Sequence, residues 1–247
     1  LAGAPLDTPR KALVPSGWSI SVWARVPKAR LSVWAPDATL LVSVPAEGRV
    51  LRLSPAQDGG ASSVLLDNLN QPHGLWFAGA TLYVAEGDRI VGYQYDAGQV
   101  SDRRVLAAGL PDARSPELGG AYAHALKSVA VGPDGAVYFS IGSTGNISAS
   151  DRTASPPRAT IMRIPPDGGP PAPFATGVRN GTGLAIAPDG SVWTAVNNRD
   201  DVADPRPGPS YGAVNDYVND HPPESVARLT PGRELGWPYC NPDVDGP

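Results

Sequence analysis

Four stretches of this 247-residue chain follow one grammar: WAPDATLLVSVPAEGRVLRL (34–53), HGLWFAGATLYVAEGDRIVGYQY (73–95), LKSVAVGPDGAVYFSIG (126–142) and GLAIAPDGSVWTAVNNRDD (183–201). Each sets a short apolar strand ahead of a tight turn built on Pro-Asp-Gly, Pro-Asp-Ala or Ala-Gly. A strand alternating apolar and small residues follows. Such turns reverse the chain because Gly and Asp supply or tolerate backbone conformations closed to most residues. The repeats lie 42 residues apart from Ala35 to Phe77, then 55 from Phe77 to Gly132 and 55 again from Gly132 to Ala187. Spacing of about 40–50 residues, with room for loop insertions, is that of four-stranded propeller blades. The pattern predicts an all-β chain, a β-propeller in which RVLRL, RIVGYQY and TIMRIPPDG are third strands. No segment of ten or more residues carries helical periodicity.

Four repeats are evident, and a fifth is expected to start in SVARLTPGRELGWPYC, so the chain reads as four to five blades of one propeller domain spanning 1–247. The last residues, NPDVDGP, read as a loop rather than a closing strand. The domain is therefore expected to be incomplete at its C-terminal end, with a further segment or another chain completing the ring. The segment 202–223, polar and aromatic, is expected to form a long excursion on one face.

With Gly 28 and Pro 28 and only 18% charged residues, the chain is turn-rich but still holds apolar blocks enough for a folded core. A net charge of −4 gives no electrostatic footprint for nucleic acid. No run of eighteen apolar residues is present to span a membrane. LAGAPLDTPRK at the N-terminus lacks the basic and apolar regions of a signal peptide, as a processed secreted chain would. Cys240 stands alone in GWPYCNP and reads as an inert turn residue.

The chain has three histidines. His124 precedes the third repeat's first strand, where inner strands approach a propeller's central channel, and an imidazole can take a proton near neutrality. The alternative is a capping histidine bonded to a neighbouring carbonyl. His73 occupies the similar place in NQPHGLWF, where Pro72 and Gly74 favour a structural role; His221 reads as a loop residue. Arg179 and Asn180 open the next blade as His124 opens its own. The arginine offers a permanent cation for a carboxylate or oxyanion, or else a bridge between blades. Asn197-Asn198-Arg199-Asp200 carries hard oxygen donors suited to Ca²⁺, although turns use the same residues. Asn146-Ile147-Ser148 and Asn180-Gly181-Thr182 match the glycosylation acceptor pattern.

Four further stretches, in order over roughly residues 65–240, carry a resemblance: LLDNLNQPHGLWFAGATLYVAEGDRIVGY, HALKSVAVGPDGAVYFSIGSTGN, FATGVRNGTGLAIAPDGSVWTAVNNRDD and ELGWPYC. Together they resemble the soluble pyrroloquinoline-quinone (PQQ)-dependent sugar dehydrogenases, six-bladed propellers, and most of all their sorbosone dehydrogenase-like branch. The resemblance implies PQQ and Ca²⁺ as cofactors, a sugar or related alcohol or aldehyde as substrate, and an extracellular or periplasmic location. It implies His124 as the general base and Arg179 as the cation beside the reactive quinone carbonyl. Asn180, Thr182, Lys127 and Asn197 fall where cofactor contacts are expected, and the carbonyls of Asn198 and Arg199 where Ca²⁺ would bind. Ser143 stands where glucose-oxidising members carry the aspartate that orients the base. Lys127 replaces a usual arginine, Thr182 stands near the place of a glutamine, and the family's later blades have no counterpart. Two other readings remain open from sequence: a Ca²⁺-dependent lactonase-type hydrolase, with Glu86 and the 197–200 cluster as donors, and a non-catalytic propeller that binds protein or glycan.

Overall fold

The computed structural model describes residues 11–54 and 62–242. The reading of NPDVDGP as a loop, and of the N-terminal LAGAPLDTPRK, falls mostly outside these residues. The described chain is built from antiparallel sheets that follow one another in sequence. Blade 1 comprises β1 (Ser32–Trp34), β2 (Leu40–Val44), β3 (Arg49–Leu53) and β4 (Ser62–Leu66). Blade 2 comprises β5 (Leu75–Ala78), β6 (Thr81–Ala85), β7 (Arg89–Asp96) and β8 (Gln99–Ala108). Blade 3 comprises β9 (Val129–Val131), β10 (Val137–Ile141), β11 (Thr160–Ile164) and β12 (Ala172–Thr176). Blade 4 comprises β13 (Gly181–Ile186), β14 (Val192–Val196) and β15 (Ser225–Leu229). The fold is the all-β propeller arrangement that the repeats predict, and the three segments expected to be third strands are β3, β7 and β11. The only α-helix among the described residues, Tyr217–Asp220, lies in the excursion between β14 and β15.

The repeat turns have one geometry. In blade 3, the Gly132 N–H donates to Ala136 O, the Gly135 N–H to Gly132 O, and the Asp134 carboxylate accepts the Ala136 N–H. The pattern recurs at Ala187–Ser191 and at Ala35–Thr39. The fourth turn residue takes positive φ, +84° at Gly135 and +80° at Gly190, and Ala38 adopts +60° at the same place. The aspartate side chain satisfies a backbone donor that the tight reversal leaves without a partner.

Among the described residues, the segment expected to open a fifth repeat does not form a blade of its own. SVARL is β15, the third strand of blade 4, paired with β14 in register from Val192↔Leu229 to Val196↔Ser225. Beyond it, β16 (Arg233–Glu234) runs parallel to β12 and adds a fifth strand to blade 3. SVARL alternates apolar and polar positions as any strand does, so its sequence alone cannot say which sheet it joins. The core lies between successive blades. Leu41, Val50, Leu82, Val84 and Val91 pack blade 1 on blade 2, Ile90, Val129, Phe139 and Ile141 pack blade 2 on blade 3, and Tyr138, Ile161, Phe174, Val178 and Val192 pack blade 3 on blade 4. Inner strands thus start on one face of the assembly, and the residues just ahead of β9 and β13 are brought together there.

Candidate active site

His124 lies in the connection from β8 to β9, against the end of β10. The contact requires glycine at 142. A Cβ there would sit 2.6 Å from the His124 Cβ, 2.7 Å from the His124 carbonyl oxygen and 3.0 Å from Asn180 Oδ1. Gly142 therefore lets blades 3 and 4 close around the histidine. The repeat pattern accounts for this glycine only as a strand end.

The imidazole is held in one tautomer. Its Nδ1 lies 3.0 Å from Ser143 O and 2.8 Å from Ser143 Oγ. The carbonyl can only accept, and the hydroxyl gives its own proton to Gly145 O at 2.8 Å. Nδ1 is therefore the protonated nitrogen. Nε2 carries the lone pair and has no hydrogen-bond partner among the described residues. Burial, followed by the positive charge of Arg179, holds the His124 pKa below the ordinary histidine value. The carbonyl contact expected of a capping histidine is present, and it leaves the lone pair on the opposite nitrogen.

Arg179, between β12 and β13, is 1% exposed. Its Nε donates to Asn146 O (3.2 Å), Nη1 to Asn197 O (3.0 Å) and Asn198 O, and Nη2 to Asn146 Oδ1 (3.0 Å) and Asp200 Oδ2 (3.2 Å). These acceptors use the five N–H groups that a guanidinium carries. The arginine therefore acts on its surroundings as a fixed positive charge. Its carbonyl accepts the Ser143 N–H at 2.7 Å, so one residue links it to His124.

Asn180 is nearly buried; its carbonyl accepts the N–H groups of Thr182 and Asn197, and its side-chain amide makes no hydrogen bond among the described residues. Thr182 is half-buried where the register of β13 on β14 shifts, and its carbonyl accepts the Ser128 hydroxyl. Glu224 clasps the 197–198 turn, accepting from Asn197 Nδ2 at 2.9 Å and from the Asn198 N–H at 2.8 Å. Arg199 has a buried Nε without a partner. It borders a cavity of about 360 Å³ with Tyr217, His221 and Asn241. Lys127 lies elsewhere: it is fully buried, and its Nζ donates to Pro111 O (2.7 Å) and Ala125 O (2.9 Å). Desolvation pulls its pKa down to about 7. His73 is structural, its Nδ1 3.0 Å from the Lys127 carbonyl.

Sequence reasoning missed the residues behind the pair. The fully buried Asp151 accepts from the N–H and hydroxyl of Thr144, and it meets Arg158 Nη1 at 3.5 Å. Tyr122 gives its hydroxyl proton to Gly142 O at 2.9 Å. Asn146 and Glu224 bind the site from loops with no periodicity to mark them. The two glycosylation patterns fall within this site rather than on open surface, with Asn146 engaged and Asn180 nearly buried. Glu86 lies between β6 and β7 of blade 2, with its Oε2 accepting the Asn70 N–H. Among the described residues, no three histidine, cysteine, aspartate or glutamate side chains gather as a metal centre.

A histidine with an open basic nitrogen, a buried guanidinium and an unengaged amide, set where propeller blades converge, define a propeller with an enzyme-like site. Residues 12–245 match the TrAA12-like family, and the chain belongs to that family. The resemblance read from the sequence holds at the level of the family, without distinguishing the sorbosone-like branch.

Solved structures of similar fold include the holo form of the PQQ domain of pyranose dehydrogenase from Coprinopsis cinerea, at 21% identity and a TM-score of 0.70, covering 88% of this chain and 55% of that one. A calcium structure of a Trichoderma reesei carbohydrate-active enzyme of family AA12 matches at 21% identity and 0.64, over 89% and 57%. The PQQ-bound aldose sugar dehydrogenase of Streptomyces coelicolor matches at 19% and 0.64, over 92% and 67%. The chain thus spans little more than half the length of the first two. No curated protein is a significant match to the sequence.

Proposed function

We propose that this chain carries the active-site blades of a PQQ-dependent oxidoreductase that oxidises a sugar or a related alcohol or aldehyde, of sorbosone or aldose type, outside the cytoplasm. The observation that carries the reading is His124: its Nδ1–H is fixed on Ser143, leaving Nε2 open as a base beside the buried cation of Arg179. Family membership and the PQQ-containing relatives support the choice of cofactor.

The residues fit such a group. The Asn180 amide is free to pair with a polar ring edge, and the charge of Arg179 suits the negative charge that a quinone gains on reduction. The carbonyls of Asn198 and Arg199 are hard donors that would hold Ca²⁺; Asn198 O gives one lone pair to Arg179 and keeps the other. Bound PQQ supplies a two-electron acceptor for the hydride from the substrate carbon. His124 Nε2 takes the proton of the hydroxyl on that carbon, so the alcohol leaves as a carbonyl compound. Ser143 keeps the imidazole from turning as its charge changes. Arg179, its N–H groups already engaged, offsets the negative charge that develops as a preorganised positive charge.

The test is to mix the protein with PQQ and Ca²⁺, desalt it, record the quinone absorbance, and assay dye reduction with a panel of sugars. Retained quinone with sugar-dependent reduction that His124→Gln abolishes is the expected result. Lactone hydrolysis without quinone uptake would replace this reading with the hydrolase, and neither activity would leave a binding propeller.

A further inference from the structure

Asn146 makes five hydrogen bonds across the site, to Arg179, Asp200 and Trp237. Its Oδ1 accepts from Arg179 Nη2 at 3.0 Å and from the Asp200 N–H at 2.8 Å, while its Nδ2 donates to Asp200 O at 2.9 Å. Its carbonyl accepts Arg179 Nε at 3.2 Å and the indole Nε1 of the buried Trp237 at 3.3 Å. The side chain thus pairs with the Asp200 backbone as a neighbouring strand would, and the Asp200 carboxylate in turn lies on Arg179. Only an amide does both: it must accept from two donors and donate to a carbonyl. Asn146 also shares the 143–146 loop with Ser143, which fixes His124.

We propose that Asn146 is a positioning residue that sets the guanidinium of Arg179 and the carboxylate of Asp200 relative to His124, without touching the reacting atoms itself. The proposal rests on the active-site reading above, but its test does not depend on turnover. Although Asn146 heads a glycosylation pattern, its role here requires the bare amide.

The experiment follows the Arg179 Nη2–H groups, which meet the Asn146 side chain, by NMR, assigned from their loss in Arg179→Lys, and measures PQQ affinity by quinone absorbance. It compares Asn146→Ala, Asn146→Asp and Ser148→Ala; the last removes the glycosylation pattern and keeps the amide. In Asn146→Ala, which removes the Oδ1 acceptor, solvent exchange of the Arg179 Nη2–H should accelerate about tenfold and PQQ binding should weaken by about tenfold to a hundredfold, the usual scale for lost supporting contacts. Asn146→Asp keeps the acceptor for Arg179 but faces Asp200 O with a second acceptor, so it should recover exchange protection only in part. It also serves where the alanine variant fails to fold. Ser148→Ala should match the parent protein. Parent-like exchange in Asn146→Ala, or in Asn146→Asp if only that variant folds, would overturn the proposal. So would a Ser148→Ala variant that weakens PQQ binding as much as Asn146→Ala. A parent protein that binds no PQQ would sink the proposed function and leave the exchange measurement to decide the role of Asn146.

Discussion

His124 and Arg179 meet through a single residue: Ser143 accepts the imidazole Nδ1–H on its carbonyl and hydroxyl oxygens and passes its own N–H to the Arg179 carbonyl. An imidazole from blade 3 and a guanidinium from the start of blade 4 are thereby fixed with respect to one another, and their charges are coupled.

With His124 as the proposed base, that coupling sets a pH dependence. A base works only when neutral, and both burial and Arg179 depress the His124 pKa. The acidic limb of kcat/KM should therefore fall below the ordinary histidine value of about 6.5. Loss of the base in His124→Gln should cost about 10²–10⁴ in rate. A limb above the ordinary value in a kcat/KM profile would contradict the assignment.

Gly142→Ala should damage the site more than the fold. The new Cβ meets His124 backbone and Cβ at under 3 Å, so the histidine must move. A displacement of about 1 Å can cost about a hundredfold in rate. Steady-state kinetics should show that loss together with a thermal midpoint lowered by only a few degrees.

Asp151→Ala should destabilise the protein. It removes the acceptor of the Thr144 N–H and hydroxyl and leaves the mostly buried Arg158 with its exposed partner Glu117. Breaking a buried pair costs about 3–5 kcal/mol. Urea unfolding should register it; an unchanged midpoint would mean the loop is held by other contacts.

Lys127 gives stability a basic slope. The unfolded chain keeps this proton up to about 10.4. The folded chain releases it near 7. Between those values the unfolded state binds more protons, so the contribution to stability rises with pH across the window. Lys127→Met should flatten that rise, as measured by urea midpoints at neutral and alkaline pH.

Ala38→Gly should stabilise blade 1. Ala38 holds a φ of +60° in the place that Gly135 and Gly190 fill in later blades. The left-handed conformation costs a non-glycine residue about 1–2 kcal/mol, partly offset by the greater unfolded freedom of glycine. A net gain of about 1 kcal/mol in chemical denaturation is expected.

Much of the fold was legible because its signals are local. Pro-Asp-Gly closes its turn with its own aspartate, and strand alternation is written residue by residue, so hairpins and the third strands β3, β7 and β11 could be read from the chain. His124 and Arg179 stood out for the same reason, each ahead of a first strand. What only the tertiary structure decided depends on partners far along the chain. It assigned SVARL to blade 4 and Arg233–Glu234 to the edge of blade 3, because a strand's sequence does not name its neighbour. It placed Lys127 against two carbonyls and made Asn146 the link between Arg179 and Asp200, because packing, not spacing, sets where a side chain's polar atoms find their partners.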